Sequence, residues 1–133
     1  PSKYENREYF VTIYKEMAAK LLSLQSADGY WHASLLDPAS YPNPEMSATA
    51  FFVFGMAWGV RNGILDKDTY LPAVVKGWKS MVASVWPDGK VGFIQPIGAD
   101  PRAVTREMTE VYGVGGFLMA GSEIARLIEA GLL

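Results

Sequence analysis

The sequence predicts an all-α fold built from two α-hairpin repeats, and three observations support this prediction. Apolar residues recur every three or four positions in two helical segments, which is the spacing of one helix face. Two other segments are long and almost free of charge, as expected for helices inside a core. The same turn and helix-entry motifs also occur twice along the chain, which indicates an internal repeat.

The first predicted helix runs from Asn6 to Gln25. Its apolar side chains lie at helical spacing, namely Phe10, Tyr14, Met17, Leu21 and Leu24, while charged residues occupy the other face. We therefore expect an outer helix that is half exposed. Asp28-Gly29 then predicts a turn, and we expect an extended segment from Tyr30 to Leu36.

The second helix is predicted to begin at Asn43-Pro44-Glu45. An Asn side chain can cap free helix amides, Pro is tolerated in the first turn, and Glu favours the positive end of the helix dipole. From Met46 to Val60 no residue carries a charge, so we expect this helix to be buried on all sides and to end before Gly63.

The second half of the chain repeats this order. A third helix is predicted from Thr69 to Val85, with Pro72 near its first turn because proline disrupts a helix interior. Asp88-Gly89 predicts a turn, and Val91 to Ile97 is expected to be extended. The fourth helix is predicted from Thr105 to Ala130, with an apolar, glycine-rich centre.

The repeat is visible in three pairs of motifs that are separated by 60, 62 and 68 residues. The pairs are Asp28-Gly29 with Asp88-Gly89, Glu45-Met46-Ser47 with Glu107-Met108-Thr109, and Gly63-Ile64-Leu65 with Gly131-Leu132-Leu133. We therefore read residues 1–133 as one partial domain with repeats at about 1–65 and 66–133. Two such repeats are too few to bury their apolar faces, so we expect the chain to be part of a larger helical toroid or to self-associate.

Composition excludes several classes of function. The 133 residues include 12 Lys and Arg against 14 Asp and Glu, so there is no basic field for nucleic acid or for an anionic membrane surface. Without cysteine there is no thiol nucleophile, and a single His cannot form a His-rich metal site. We therefore expect no nucleic-acid partner, no membrane partner, no metal and no cofactor.

Longer motifs in both hairpins resemble a known family. The first set is Asp28-Gly29-Tyr30-Trp31-His32, Leu35-Leu36-Asp37-Pro38, Ser40-Tyr41-Pro42 and Glu45-Met46-Ser47-Ala48-Thr49-Ala50. The second set is Gln95-Pro96-Ile97-Gly98-Ala99-Asp100-Pro101, Thr109-Glu110-Val111-Tyr112-Gly113 and Ala120-Gly121-Ser122-Glu123. In order and spacing these motifs resemble the C-terminal part of glycoside hydrolase families 88 and 105, the unsaturated glucuronyl and rhamnogalacturonyl hydrolases.

The resemblance implies an (α/α)6 barrel of which this chain supplies about the last third. Enzymes of these families hydrate the C4–C5 double bond of the unsaturated uronyl residue that a lyase leaves on rhamnogalacturonan or glycosaminoglycan oligosaccharides. An Asp acts as general acid and base, unlike the carboxylate pair of ordinary glycosidases. The family's Asp and its Arg-Gly-Asn-Gly-Trp segment precede the part that this chain resembles. We therefore assign no catalytic residue here and expect the chain to be inactive by itself.

Five residues are candidates for binding the substrate. Trp31 can stack on a sugar ring, and His32 can bond a hydroxyl or a carboxylate, although both can instead pack over the helix ends. Arg102 and Arg106 are suited to bidentate contact with a uronate carboxylate, or they are ordinary surface charges. Tyr112 lies near the start of an inner helix, where it either reaches the cavity or belongs to the core.

A further group of residues lies at the starts of the second and fourth predicted helices, which are the inner helices of the predicted toroid. It consists of Glu45 and Ser47 in the first repeat and Glu107, Thr109 and Glu110 in the second. These residues can present acids and hydroxyls at the mouth of the barrel, but acids and hydroxyls in a first helical turn also satisfy free amides and the helix dipole without any catalytic role. Because the pattern occurs at both hairpins, we assign these residues to the support of the helix N-termini.

Two other interpretations remain open. A self-contained helical module can bind a carbohydrate or a protein without catalysis. The run Gln25-Ser26-Ala27-Asp28-Gly29-Tyr30-Trp31 also resembles the repeats of terpenoid-cyclase-like α/α toroids. The later runs Gln95 to Asp100 and Thr109 to Gly113 argue against that second family.

Overall fold

The protein is described by a computed structural model that covers residues 3–133 and, in that range, consists of helices and loops without a strand. The helices are α1 (Arg7–Ser23), α2 (Met46–Arg61), α3 (Lys67–Ala83) and α4 (Val111–Glu129). The predicted all-α class is confirmed. Residues 1 and 2, at the start of the first predicted repeat, lie outside the described range.

Helix α2 is the central element of the fold. It makes its most extensive contacts with α4 and the next most extensive with α3, whereas α1 touches it over a smaller area. Small residues allow the close approach of α2 and α4: a Cβ atom on Gly116 would lie 3.2 Å from the Cβ of Ala50. The core is therefore a tight inner pair of helices with the two other helices beside it.

Corresponding turns of the two repeats share the same backbone geometry. Gly29 and Gly89 both have positive φ, 96° and 89°, in the turns after α1 and α3. Gly63 and Gly131 both have φ of 66°, just beyond the ends of α2 and α4. Glycine adopts this left-handed conformation without a steric penalty. The requirement for glycine at these four positions explains why the Asp-Gly and Gly-Ile/Leu-Leu motifs each occur twice in the sequence.

The start of α2 differs from the prediction, because Glu45 and not Asn43 is the N-cap. The Glu45 side chain accepts hydrogen bonds from the backbone N–H groups of Ser47 and Ala48. The Asn43 side-chain amide donates instead to the backbone oxygen of Val104 at 2.7 Å. Asn43 therefore joins the first loop, residues 24–45 between α1 and α2, to the second loop, residues 84–110 between α3 and α4, which places both loops at the same end of the inner helices.

The predicted start of α4 at Thr105 is wrong, since the helix begins at Val111. Its N-cap is Glu110, so the structure aligns Glu110 rather than Glu107 with the cap of α2. Residues 105–108 form a turn in which the Met108 N–H donates to the Thr105 oxygen at 3.2 Å. The Met108 oxygen accepts from the N–H of Ile94 at 3.1 Å, which keeps this segment on the loop and out of the helix.

The extended segments predicted for residues 30–36 and 91–97 do not form strands. Only isolated bridges occur there, between His32 and Pro44 and between Val85 and Val91. Turns on either side leave each pairing one residue long, which is too short for a ladder.

The outer helices are close to their predicted positions. Helix α1 is slightly shorter than the predicted Asn6 to Gln25. Helix α3 begins two residues earlier than Thr69, because the Asp66 carboxylate caps it by accepting from the Thr69 N–H at 2.8 Å. Pro72 is consequently the sixth residue of α3 and lies beyond its first turn.

The expectation that the second helix is buried on all sides is wrong for this chain. On α2, Phe51 is 42% exposed and Trp58 is 38% exposed, and on α4 Leu118 is 64% exposed. Phe51 lies at the edge of the α2–α4 contact, since a Cβ atom on Gly116 would lie 3.5 Å from its ring. The helices thus keep an open apolar side that the described residues do not cover.

Helix α4 is long and apolar enough to cross a membrane by length and composition alone. It also contains the buried Glu123 and packs along α2. The core helices of soluble proteins have the same length and composition.

Candidate functional site

A buried polar cluster lies where the N-terminal ends of α2 and α4 meet. Glu45 is 1% exposed, and its Oε2 accepts from the Ser47 hydroxyl at 2.7 Å. Its Oε1 accepts from the Gln95 N–H at 3.3 Å. The Tyr112 hydroxyl, from the first turn of α4, donates to the Gln95 backbone oxygen at 2.5 Å. The cluster thus connects both inner helices to the second loop.

The electrostatics of the cluster keep Tyr112 protonated. Partial burial raises the pKa of the Tyr112 hydroxyl, and the nearby Glu45 and Glu110 carboxylates raise it further, while a hydrogen bond with Ser47 lowers it. Tyr112 therefore remains a hydrogen-bond donor at neutral pH. The Glu45 side chain accepts hydrogen bonds from the Ser47 N–H, the Ser47 hydroxyl and the Ala48 N–H at the start of α2.

Trp31 lies in the core, with 0% of its surface exposed. Its indole N–H donates to the Leu21 oxygen at 2.8 Å, and its ring makes an edge-to-face contact with Phe52 at 5.4 Å between centroids. No part of the ring is open to a ligand. The placement of Trp31 matches the packing alternative, in which it supports the loop that carries His32.

His32 is half-buried and held in one orientation. Its Nδ1 lies 2.8 Å from the Tyr41 backbone oxygen, and the Tyr30 ring packs edge-on against it at 5.0 Å. A carbonyl oxygen only accepts, so Nδ1 carries the hydrogen and Nε2 is the acceptor atom of the neutral ring. The loop thereby presents a defined hydrogen-bonding atom.

The two candidate arginines are exposed but have different surroundings. The backbone N–H of Arg102 donates to Oε1 of Gln95 at 3.2 Å, which links Arg102 to the buried polar cluster. The Arg106 guanidinium lies 4.5 Å from the centre of the Trp86 ring, and Lys90 lies 4.7 Å from the same ring. Arg106 is therefore engaged in a cation–π contact.

The remaining candidates of the second repeat lie just before α4. Glu107 and Thr109 are exposed loop residues. The pKa of Glu107 lies below its ordinary value, first because Thr105 donates a hydrogen bond to it and also because Lys90 and Arg106 are near. Glu110 is the N-cap of α4, but its side chain makes no capping hydrogen bond.

No metal centre is formed by the described part of the chain: residues 3–133 contain no group of three or more His, Asp or Glu side chains arranged to hold an ion. What the arrangement offers is hydrogen bonding and positive charge. One imidazole nitrogen and two guanidinium groups stand on loops at the same end of the inner helices, where the Tyr112 hydroxyl is already bonded to Gln95.

Sequence reasoning missed the role of Gln95, although Gln95 is part of a motif that carries the family resemblance. Its backbone is bound by Glu45 and Tyr112, which come from helices far apart in the sequence. Phe93 was also missed: its φ of 58° makes it the sole non-glycine residue with positive φ in the described range. Neither feature has a signal in local sequence, because both arise from contacts between the repeats.

Comparisons with known proteins agree with this architecture. Residues 1–128 match glycosyl hydrolase family 88. The chain is 43% identical over 129 residues to the unsaturated 3S-rhamnoglycuronyl hydrolase of Formosa agariphila, covering 97% of this chain and 34% of that protein. The chain therefore spans about a third of the length of this curated relative.

Solved structures show the same relationship. A family 88 glycosyl hydrolase from Bacteroides vulgatus superimposes with a TM-score of 0.89 at 38% identity, over 95% of this chain and 37% of that one. A possible family 105 member from Salmonella enterica superimposes with a TM-score of 0.78 at 26% identity, over 95% and 34%.

The two hairpins thus form about a third of an (α/α)6 barrel, as the motifs predict, and the resemblance to families 88 and 105 is confirmed. The match over residues 1–128, the fold of the two hairpins and the identity to a known hydrolase lead to one conclusion: the chain belongs to glycosyl hydrolase family 88.

Proposed function

We propose that this chain is the C-terminal segment of a hydrolase that hydrates the C4–C5 double bond of unsaturated uronyl-terminated oligosaccharides. The observation that carries the proposal is a hydrogen bond between the two loops, in which the Asn43 side-chain amide donates to the Val104 backbone oxygen at 2.7 Å. Because of it, the loop of His32 and the loop of Arg102 open at one end of the inner helices. The name of the Formosa agariphila relative supports an unsaturated glycuronyl substrate that contains rhamnose.

The substrate-binding roles follow from the chemistry of the half-buried His32 and of the exposed Arg102 and Arg106. Nε2 of His32 accepts from a sugar hydroxyl, and the guanidinium groups of Arg102 and Arg106 bind the uronate carboxylate. Tyr112 and Trp31 act from behind this surface, since the Tyr112 hydroxyl holds Gln95 and the Trp31 ring is buried.

The helix-entry residues support the site without contacting the substrate. Glu45 and Ser47 hold the N-terminus of α2 through their hydrogen bonds, while Glu110 stands at the N-terminus of α4. Glu107 and Thr109 belong to the loop that leads into α4.

The protein partner of the chain is the rest of its own barrel. Exposed apolar residues lie on two helices: Tyr9, Phe10 and Met17 on α1, and Val111, Leu118 and Met119 on α4. Between α1 and α2 lies an open groove of about 350 Å³, lined among others by Phe10, Tyr14 and Trp58. An arc of a barrel exposes two such edges, and neighbouring hairpins cover them. On this proposal residues 1–133 are one partial domain with repeats at 1–65 and 66–133.

The catalytic Asp belongs to the preceding hairpins, so the chain alone is inactive. We call the longer protein that contains both parts the full-length hydrolase. If no hairpins precede the chain in its gene, self-association is the remaining way to cover the exposed faces, and the chain is then a carbohydrate- or protein-binding module.

The test begins with the gene upstream of the codon for Pro1, which we expect to encode the preceding hairpins. The full-length hydrolase and the chain alone are then incubated with a lyase-generated unsaturated disaccharide, and the ultraviolet absorbance of the double bond is followed. We expect loss of absorbance with the full-length hydrolase only.

A matched pair of variants makes this test specific. Arg102→Ala should raise KM about ten-fold, because a charged hydrogen bond is lost. Lys79→Ala, which removes an exposed charge from α3, should leave KM unchanged. A full-length protein that binds the disaccharide without converting it would overturn the hydrolase proposal in favour of the binding module.

A further inference from the structure

Residues 93–95 form a strap across the N-terminal ends of the two inner helices. The Phe93 oxygen accepts from the N–H of Met46, the first residue of α2, at 2.8 Å. The Gln95 N–H donates to Glu45 at 3.3 Å, and the Gln95 oxygen accepts from Tyr112 at 2.5 Å. Both polar groups of the Gln95 backbone are thus bound, one by each helix.

The strap is also fixed between these two contacts. Ile94 is 0% exposed and occupies a notch beside Gly113, where an added Cβ would lie 2.5 Å from Cδ1 of Ile94. Phe93 keeps a φ of 58°, a conformation that costs a non-glycine residue free energy. Such a conformation persists only where the surroundings over-determine it, and here packing and hydrogen bonds from both helices do so.

The fixed backbone determines where the Gln95 side chain can act. Its Oε1 accepts from the backbone N–H of Arg102 at 3.2 Å, which closes the loop of residues 96–101. The loop residues 97–103 are exposed on one side of this bond, whereas Glu45 is buried on the other. Gln95 is therefore the connection between a rigid, buried cluster and an exposed arginine.

We propose that Gln95 is a positioning residue that fixes Arg102 for recognition of the substrate carboxylate, and that Glu45 and Tyr112 act through it. The inference rests on the proposed function, because it assigns the uronate as the group that Arg102 binds. The bond holds the backbone of Arg102, so the arginine side chain extends from a fixed point and loses less conformational freedom when its guanidinium pairs with a carboxylate. Loss of the Gln95 side-chain oxygen should therefore weaken substrate binding and leave the chemical step intact.

The kinetic test uses the full-length hydrolase with the unsaturated disaccharide. Gln95→Met keeps the size of the side chain and removes the acceptor, and we expect KM to rise about five-fold with kcat unchanged. In an Arg102→Ala background the same change should have no further effect on KM, because Gln95 acts through Arg102. Equal effects of Gln95→Met in both backgrounds, or an effect on kcat alone, would overturn the inference.

A second measurement separates this inference from the proposed function. Limited digestion with trypsin should cleave after Arg102 about five-fold faster in Gln95→Met than in the wild-type protein, since the loop is no longer closed. Gln95→Glu, which retains an acceptor oxygen, should restore the wild-type rate. Cleavage after Lys79 within α3 reports global unfolding and should not change.

The outcomes are distinguishable. If the wild-type protein does not convert the disaccharide, the proposed function fails, and the rate of cleavage after Arg102 alone decides whether Gln95 positions it. If the wild-type protein is active but Gln95→Met changes neither KM nor cleavage after Arg102, the positioning role is refuted and the proposed function stands.

Discussion

Nε of Arg61 lies 2.7 Å from Oε2 of Glu123, a carboxylate on α4 that is 1% exposed. Arg126, one turn further along α4, contacts the other oxygen of Glu123 at 2.6 Å. Because Arg61 is the last residue of α2, this ion pair connects the two inner helices near their C-terminal ends. The N-terminal ends are connected by Glu45, Gln95 and Tyr112, so the inner pair is fixed by polar contacts at both ends.

The Glu123 contact predicts a dependence of stability on pH. Burial acts to raise the pKa of Glu123, but the hydrogen bonds from Arg61 and Arg126 and their charges outweigh it, so the pKa is lowered. A folded-state pKa below the unfolded value, which is about 4.3, means that the ionised carboxylate stabilises the fold above that pH. This stabilisation is lost as the pH falls through the lower folded-state pKa.

We therefore expect Glu123→Gln to lower the melting temperature of the full-length hydrolase by about 5 °C at neutral pH. The difference from wild type should shrink in acid, once Glu123 is protonated in both states. Thermal denaturation at several pH values measures this effect. Glu129→Gln, at an exposed position of the same helix, is the control, and a Glu123→Gln defect that is independent of pH contradicts the prediction.

A second prediction concerns the contact of α1 with α2. The Tyr14 hydroxyl donates to the Gly55 oxygen at 2.6 Å, and burial raises the pKa of Tyr14 to about 12. A Cβ atom at Gly59 would collide with this hydroxyl. Gly59→Ala should therefore cost about 1–3 kcal/mol in the free energy of unfolding, measured by urea denaturation.

A Tyr14→Phe variant tests whether the collision with the Tyr14 hydroxyl causes the loss of stability. Tyr14→Phe removes the hydroxyl that meets the new methyl group, so the double variant should lose less stability than the sum of the two single variants. Additive losses would show that the collision with Tyr14 does not limit the size of residue 59.

A third prediction compares the corresponding turns of the two repeats. Gly29→Ala and Gly89→Ala both place a side chain at positive φ, which costs about 1–2 kcal/mol. A Cβ at Gly29 would also lie 2.5 Å from the Lys76 oxygen, whereas a Cβ at Gly89 would meet no atom within 4 Å. Gly29→Ala should therefore be the more destabilising variant in denaturant unfolding, and equal losses at both turns refute the packing argument.

A fourth prediction compares the two helix caps. Glu45→Ala removes hydrogen bonds to the Ser47 and Ala48 N–H groups and should cost about 1–2 kcal/mol. Glu110 occupies the same position on α4 but makes no such bond, so Glu110→Ala should change stability by less than about 0.5 kcal/mol. Chemical denaturation of both variants gives the comparison. A loss at Glu110 as large as that at Glu45 would show that charge at the helix end, and not the side-chain bond, stabilises the inner helices.

Local sequence was a reliable guide to the helices and turns. The spacing of Phe10 to Leu24 predicts α1 to within two residues at each end, and the Asp-Gly turns occur where the motif places them. The start of α4 was misplaced by six residues, because Met108 is held by Ile94 from another part of the chain. A contact of this kind leaves no periodic pattern near the helix start.

The candidate site was predictable only in part. The residue types at His32, Arg102 and Tyr112 are visible in the sequence as groups able to bind a sugar acid. The sequence does not reveal that Trp31 is buried. It also does not reveal that Gln95 connects Glu45 to Tyr112. Both features depend on which side chains meet across the inner helices.

Residue patterns alone predict the helical class, the turns at Asp28-Gly29 and Asp88-Gly89 and the family, and all three predictions are confirmed. These properties depend on residues that are neighbours in the chain, so hydrophobic period, glycine and motif order are enough to reveal them. Three features follow only from contacts in the folded chain: Glu45 caps α2, Phe93 adopts a positive φ, and Asn43 donates to Val104. These features arise because the close packing of α2 on α4 brings distant backbone donors and acceptors together in a buried space, where each must find a partner.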